Sequence, residues 1–235
     1  MDEYIAVTTI PEHIKRIKLD VGLSYTAHQC QAWLEHDKDL FVFGFEPNPD
    51  CIASVRKGNI IPRPEHPCIP LSDENAKRMH LSPVALGNVF EKTELDFYMM
   101  DKDCGTSSLH KPAASSLGPV KNVIKVPVYS LAMFFDVFPW DRFEHIEYLK
   151  VDAQGADLDI VVGAGNYLQE RVVYATIEPE SNAYESCGYN TESNITAYME
   201  ANGFERVYHP NASDPTYLNK KFKHLAESIY IFQRG

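Results

Sequence analysis

The stretch Arg16-Ile-Lys-Leu-Asp-Val21 is short, rich in aliphatic and β-branched residues, and closes on Gly22. It reads as a buried strand that runs into a tight turn. A second stretch, Leu40-Phe-Val-Phe-Gly-Phe45, is apolar without alternation and ends at Glu46. Continuous apolarity suits a parallel strand covered on both faces. Between the two, Cys30, Trp33 and Leu34 recur at helical spacing, which gives a helix from about Ala27 to His36 one apolar face.

Outward from this unit the alternation of strand and helix continues. Pro47 and Pro49 stop the second strand, and a short helix is expected over Pro49–Lys57. Ile60–Arg78, with prolines at 62, 64, 67 and 70, reads as an extended loop. Met79–Leu86 reads as a third strand, interrupted by Pro83. Leu95, Phe97 and Met99 alternate within Glu94–Met100, as do Ile124, Val126 and Val128, so an added antiparallel pair is expected there. The polar loop Gly105–His110 lies between them. Ile146–Val151 is an apolar strand ending at Asp152. A helix is expected over Gly155–Leu168, with Leu158, Val161, Val162 and Gly165 on one stripe. Val172–Ile177 is a strand ending at Glu178. Ile195, Tyr198 and Met199 mark a late helix closed by Gly203. Phe204–Tyr208 and Glu227–Phe232 are expected to form a terminal hairpin, with Lys220, Lys221 and Lys223 in a solvated turn before its second strand. The pattern points to an α/β fold: one mostly parallel sheet with helices on both faces, in a single domain over residues 1–235.

Composition narrows the setting. Of 235 residues, 44% are hydrophobic and 23% charged, which is ordinary for a globular chain with a sizeable core. No apolar run approaches the roughly 20 residues that cross a bilayer, and the N-terminus lacks an apolar stretch after a basic one. Five scattered cysteines with no CxxC read as free thiols in a reducing compartment, so a cytoplasmic protein is expected. The net charge of −11 repels phosphate backbones and disfavours a nucleic acid partner.

In a sheet of this kind ligands bind outside the carboxyl ends of the strands, and here those ends carry Asp20 with Gly22, Glu46, Asp152 and Glu178. An acid ending the second strand can accept from both ribose hydroxyls of an adenosine cofactor. A dinucleotide would further require G-x-G-x-x-G, so that backbone can approach a pyrophosphate. The turn Asp20-Val-Gly22-Leu-Ser24-Tyr-Thr26 has a single glycine. A cofactor without phosphates, bearing a sulfonium and an amino-acid tail, fits it better. The competing readings are a nicotinamide-dependent oxidoreductase, and a non-catalytic nucleoside-binding module that keeps the ribose acid without a base.

Lys18-Leu-Asp-Val-Gly22, Phe45-Glu-Pro-Asn-Pro49, Val84-Ala-Leu-Gly87, Gly105-Thr-Ser-Ser-Leu109 and Lys150-Val-Asp-Ala-Gln-Gly155 together resemble the FkbM-type methyltransferases in order and spacing, over residues 16–180. The resemblance implies a class I methyltransferase fold, Rossmann-like, with a seven-stranded sheet and a C-terminal antiparallel hairpin. It also implies S-adenosylmethionine and O-methylation of a sugar or other natural-product hydroxyl. Carried over by position, Asp20, Gly22 and Ser24 would line the methionine end of the cofactor, and Glu46 would hold the ribose. Pro47 and Asn48 would border the adenosine, with Val84 and Ala85 near the adenine. This chain departs from the family pattern in Leu23-Ser24-Tyr25-Thr26 after the first glycine, and in Gln154 where a glutamate is common.

Methyl transfer to a hydroxyl needs in-line alignment and a base for the hydroxyl proton. Asp152 is the first candidate base and His110 the second. The alternative for Asp152 is a structural acid that caps the helix following Gly155. Thr106, Ser107, Glu178, Glu180 and Tyr184 are candidates for the acceptor site, with Tyr189 nearby. Asp152, Glu178 and Glu180 have the oxygen chemistry of a magnesium or manganese site. The reading expects them to meet acceptor hydroxyls or to cap the loop, and expects no metal. A sugar or glycan acceptor is anticipated, such as a deoxysugar of the rhamnose or fucose kind.

Overall fold

The computed structural model describes residues 10–58, 70–210 and 212–231. The first strand, β1, spans Arg16–Val21, and helix α1 spans His28–His36. They are followed by β2 at Leu40–Phe45 and α2 at Pro49–Lys57. Asn48 caps α2 by accepting the Asp50 N–H, and Pro49 opens its first turn, where a missing N–H costs nothing.

Of the segment expected as a loop, residues 59–69 lie outside the described residues. The rest holds a short helix, α3, at Asp73–Ala76, capped by Ser72. The expected strand Met79–Leu86 divides into β3 (Met79–Ser82) and β4 (Ala85–Leu86), which belong to different sheets. Pro83 is the cause: it cannot donate to a ladder and its fixed φ turns the chain.

Strands β5 (Thr93–Met100) and β6 (Val120–Tyr129) pair antiparallel as their alternation implied, and with β4 they form a separate three-stranded sheet. Helix α4 at Leu131–Asp136, not anticipated, buries Leu131, Phe134 and Phe135 behind an N-cap at Ser130. Strand β7 spans Ile146–Val151. The helix expected over Gly155–Leu168 is two pieces, α5 at Asp157–Val162 and α6 at Asn166–Arg171. The break falls at Gly163-Ala-Gly165, where Gly165 takes a left-handed φ of 56°. The buried residues are Ile160, Val161, Ala164 and Leu168, while Leu158 and Val162 are only half-buried and Gly165 is exposed.

Strand β8 spans Val172–Ile177 and α7 spans Glu192–Ala201. Strand β9 (Phe204–Val207) pairs antiparallel with β10 at Thr216–Asn219, not with Glu227–Phe232. Thr216–Asn219 is buried at all four positions and lies between β8 and β9, so it supplies the missing antiparallel partner. Lys220–Ser228 form 3₁₀ turns, Ile229–Ile231 join no strand, and Phe232 lies outside the described residues.

The main sheet has the order β3-β2-β1-β7-β8-β10-β9, parallel from β3 to β8 and antiparallel at β10. Period two assigns its faces. Ile17, Leu19 and Val21 of β1 and Phe41, Phe43 and Phe45 of β2 pack with Phe134, Ile160 and Ile195 in one core. Leu40, Val42 and Tyr148 pack with Trp33, Leu34 and Val55 in the other. On that second face β1 also carries Lys18 and Asp20, both fully buried. Buried charges persist only when paired. Lys18 donates to the Tyr230 carbonyl (2.6 Å), and Asp20 faces Lys150 of β7 (3.3 Å). Among the described residues no helix is long and apolar enough to cross a membrane.

Candidate active site

The carboxyl ends of β1, β2 and β7 open beneath the small sheet, and between them lies a cleft of about 490 Å³. Its lining includes Gly22, Ser24, Glu46 and Pro47 and the apolar residues Val84, Ala85, Leu86 and Phe97. Asp152 and Gln154 line this cleft and also a second pocket of about 630 Å³ reaching Thr26, His28, Asp103, Thr106 and Lys150.

Gly22 makes the close approach of β1 to the β7 loop possible. Its φ is 74°, and a Cβ placed on it would lie 1.8 Å from the Asp152 carbonyl oxygen. The Gly22 N–H donates to Phe45 O (2.9 Å), tying the turn to β2. Glu46 is buried. Its Oε2 accepts the Ser24 N–H (3.0 Å) and its Oε1 the Asn48 N–H (2.8 Å). Burial pushes its pKa up to about 7, against the pull of these two backbone donors. Each oxygen keeps a further lone pair for a ligand hydroxyl.

Asp152, at the end of β7, lies 3.2 Å from Lys150 Nζ and accepts from Gln154 Nε2 at 2.9 Å. Burial disfavours its charge, but the Lys150 ammonium and the hydrogen bonds of Glu178 and Gln154 together outweigh burial and hold the carboxyl below the usual range. Asp152 does not take the helix-capping role considered for it: the Leu158 N–H in the first turn of α5 is accepted by Asn190 Oδ1 (2.9 Å), and Asp157 ties down the loop before the helix. That side chain is fully buried and accepts the N–H groups of Ala153 (2.6 Å) and Gly155 (3.1 Å) and the Asn190 amide (3.0 Å). Burial pushes Asp157 up to about 7. Asp152 is thereby left facing the cleft.

The remaining sequence candidates divide. Ser24, Val84 and Ala85 line the cleft, as do Pro47 and Ser107, and Thr106 lines the second pocket. The Ser107 hydroxyl is already engaged, donating to Cys104 O (2.7 Å) and accepting from Met100 N (3.0 Å) and Asn48 Nδ2 (3.1 Å). Asn48 does not line the cleft. It joins α2 to the 104–107 turn from behind. Asp20 is also behind the surface, accepting from Cys30 Sγ (3.0 Å), so it supports the site through Lys150 and does not line it.

Four acceptor-side candidates are not brought to the wall of either pocket. Glu178 lies behind Asp152, its Oε2 accepting from Gln154 Nε2 at 2.9 Å. Burial first, and Asp152 second, push Glu178 up to about 10. Glu180 caps its own loop by accepting the N–H groups of Asn182 and Ala183. The Tyr184 hydroxyl is within bonding distance of Thr106 O (2.7 Å) and Gln154 Oε1 (2.9 Å), and Tyr189 donates to Asp159. His110 packs beside Gly155, half-buried, with its pKa lowered by burial, and lines neither pocket. Among the described residues no group of three His, Cys, Asp or Glu side chains is placed to share a metal ion.

Sequence reasoning passed over Lys150 as a site residue, and gave Gln154 only a negative role. The signal for Lys150 was present: a lysine inside an apolar strand, next but one to an acid, has to be buried and paired.

The model of the methyltransferase FkbM domain matches residues 20–206 of the chain. No curated protein and no solved structure matches it.

Proposed function

The chain belongs to the FkbM methyltransferase domain family, and from that premise we propose that it transfers the methyl group of S-adenosylmethionine to a sugar hydroxyl. The observation that carries this reading is the presence, in one cleft, of a buried ribose-type acid, Glu46, and an ionised acid at a second strand end, Asp152. The residues present fit the donor. Glu46 offers two carboxylate oxygens to adjacent hydroxyls, and Val84, Ala85 and Phe97 form an apolar surface for a purine. Gly22 lets the backbone approach closely. When bound, the donor supplies a methyl group activated by an adjacent sulfonium.

Asp152 takes the proton of the acceptor hydroxyl, and Lys150 keeps it ionised for that task. Thr26, His28, Asp103 and Thr106 give the second pocket polar side chains suited to a sugar. The acceptor is a glycan or glycosylated compound, with a deoxysugar such as rhamnose or fucose as the first class to test, and the setting is cytoplasmic glycan biosynthesis.

The test is incubation with methyl-labelled S-adenosylmethionine and a panel of free sugars and glycosides. Label is expected on a sugar oxygen, and Asp152→Asn is expected to lower the rate by roughly 10²–10⁴-fold, the usual worth of a positioned base. Label found only on nitrogen or sulfur acceptors would overturn the hydroxyl assignment.

A further inference from the structure

Gln154 stands where the two pockets meet, and its backbone is left-handed (φ 55°) although it is not a glycine. Such a conformation is strained and persists where the surroundings over-determine it. Here they do. Nε2 donates to Asp152 Oδ1 and to Glu178 Oε2, both at 2.9 Å. Oε1 accepts from the Tyr184 hydroxyl (2.9 Å), and the main-chain carbonyl accepts from Ser108 Oγ (2.7 Å). Two acids on one side and a hydroxyl donor on the other leave a single sensible orientation for the amide.

The charges around the pair do not balance if both acids ionise. Lys150 comes from β7, Asp20 from β1, Asp157 from α5 and Asp214 from the segment before β10. Glu180 and Tyr184 come from the segment after β8. Among the described residues, the cation ion-paired with Asp152 is Lys150, and it is shared with Asp20; no cation pairs with Glu178. Two neighbouring carboxylates, of which one is ion-paired to an already-divided cation and the other to none, cannot both remain charged in a buried site.

We infer that Gln154 is a positioning residue whose amide clamps Asp152 and Glu178 into a pair holding one proton, with that proton on Glu178 and the charge on Asp152. The strongly raised Glu178 and the lowered Asp152 agree with this division. In turnover the acceptor O–H proton passes to Asp152, the pair becomes neutral, and Asp152 sheds the proton to water at its partly exposed edge. An amide suits the position because it donates to both acids without adding a charge. The role in turnover rests on the proposed function, whereas the proton count does not.

Infrared spectroscopy of the full chain in heavy water tests the count. At about pH 8.5 Glu46 and Asp157 are ionised and Glu178 is not, since a group is mostly protonated only below its pKa. The wild type is expected to show a protonated-carboxyl stretching band that Glu178→Gln lacks. Gln154→Glu, checked for folding by its melting curve, is expected to raise the band roughly twofold, because a third clustered acid must also take a proton. The inference is overturned by a wild type without the band, by its survival in Glu178→Gln, or by an unchanged band in folded Gln154→Glu. Loss of the band on adding magnesium ions alone would overturn it too, making the pair a cation site. If the band behaves as expected but S-adenosylhomocysteine does not bind the same samples, the pairing stands and the donor reading fails.

Discussion

Lys150 Nζ lies 3.2 Å from Asp152 and 3.3 Å from Asp20, and donates to the Gly22 carbonyl at 3.1 Å. One buried ammonium thus joins the ends of β1 and β7 and sets the charge of the acid that faces the cleft. Its own pKa is raised, because the flanking carboxylates outweigh the burial that would lower it. Removing it strands two acids. Lys150→Met is expected to destabilise the fold by roughly 3–5 kcal/mol, the usual cost of leaving a buried partner uncompensated, as read from urea unfolding. A loss under about 1 kcal/mol, the size of an exposed pair, would show that the contact does not hold the site together.

The turn at Gly22 admits no side chain. Gly22→Ala places a Cβ 1.8 Å from the Asp152 carbonyl on a backbone with φ 74°. The loss is expected to exceed the roughly 1–3 kcal/mol of an ordinary strained left-handed residue. Gly188→Ala, where a Cβ meets nothing within 4 Å, is the control and should stay within about 0.5 kcal/mol. Equal melting temperatures for the two variants would contradict the close approach.

Glu46 predicts a pH dependence of known sign. Its folded-state pKa is raised from 4.5 to about 7, mainly by burial. A carboxyl raised on folding contributes its full stability below 4.5 and loses it as pH climbs through 7. Glu46→Gln, which stays neutral, should therefore gain stability relative to wild type over that window, read as a widening difference in melting temperature. A difference that is constant from pH 4.5 to 8 would refute the raised value.

Tyr184 holds Gln154 and the Thr106 carbonyl rather than lining a pocket. Tyr184→Phe removes the single hydroxyl proton that those two acceptors share and is expected to cost roughly 1–3 kcal/mol in stability. Affinity for S-adenosylhomocysteine should change little, because Tyr184 does not line the cleft. A tenfold loss of affinity at unchanged stability would move Tyr184 into the binding wall.

These residues also mark what could be read from sequence. β1, β2, β7 and β8 were legible to the residue: β2 and β8 are nearly continuous apolar runs, β1 and β7 carry aliphatic residues around buried charges, and each stops at a glycine or an acid. The acids at those ends were legible for the same reason. Pro83 was seen as a disturbance, but a local pattern does not say that the chain changes sheet there. The hairpin partner was misplaced because Glu227–Phe232 and Thr216–Asn219 are comparably apolar. What decides between them is a pairing with β8 some 40 residues away in sequence. Asp157 and Gln154 were illegible in a different way. The first ties down loop N–H groups that precede its helix, and the second depends on a left-handed φ. Neither leaves a periodic trace.

The central claim is a methyl-donor site built on Glu46, and calorimetric titration with S-adenosylhomocysteine tests it most directly. Wild type at pH 8 is expected to bind in the micromolar range, with affinity falling as pH drops below about 7, where Glu46 protonates. Glu46→Ala, shown to be folded, should not bind, and NADH should give no heat with either protein. Tight S-adenosylhomocysteine binding that persists in Glu46→Ala, or no binding to well-folded wild type, would contradict the account.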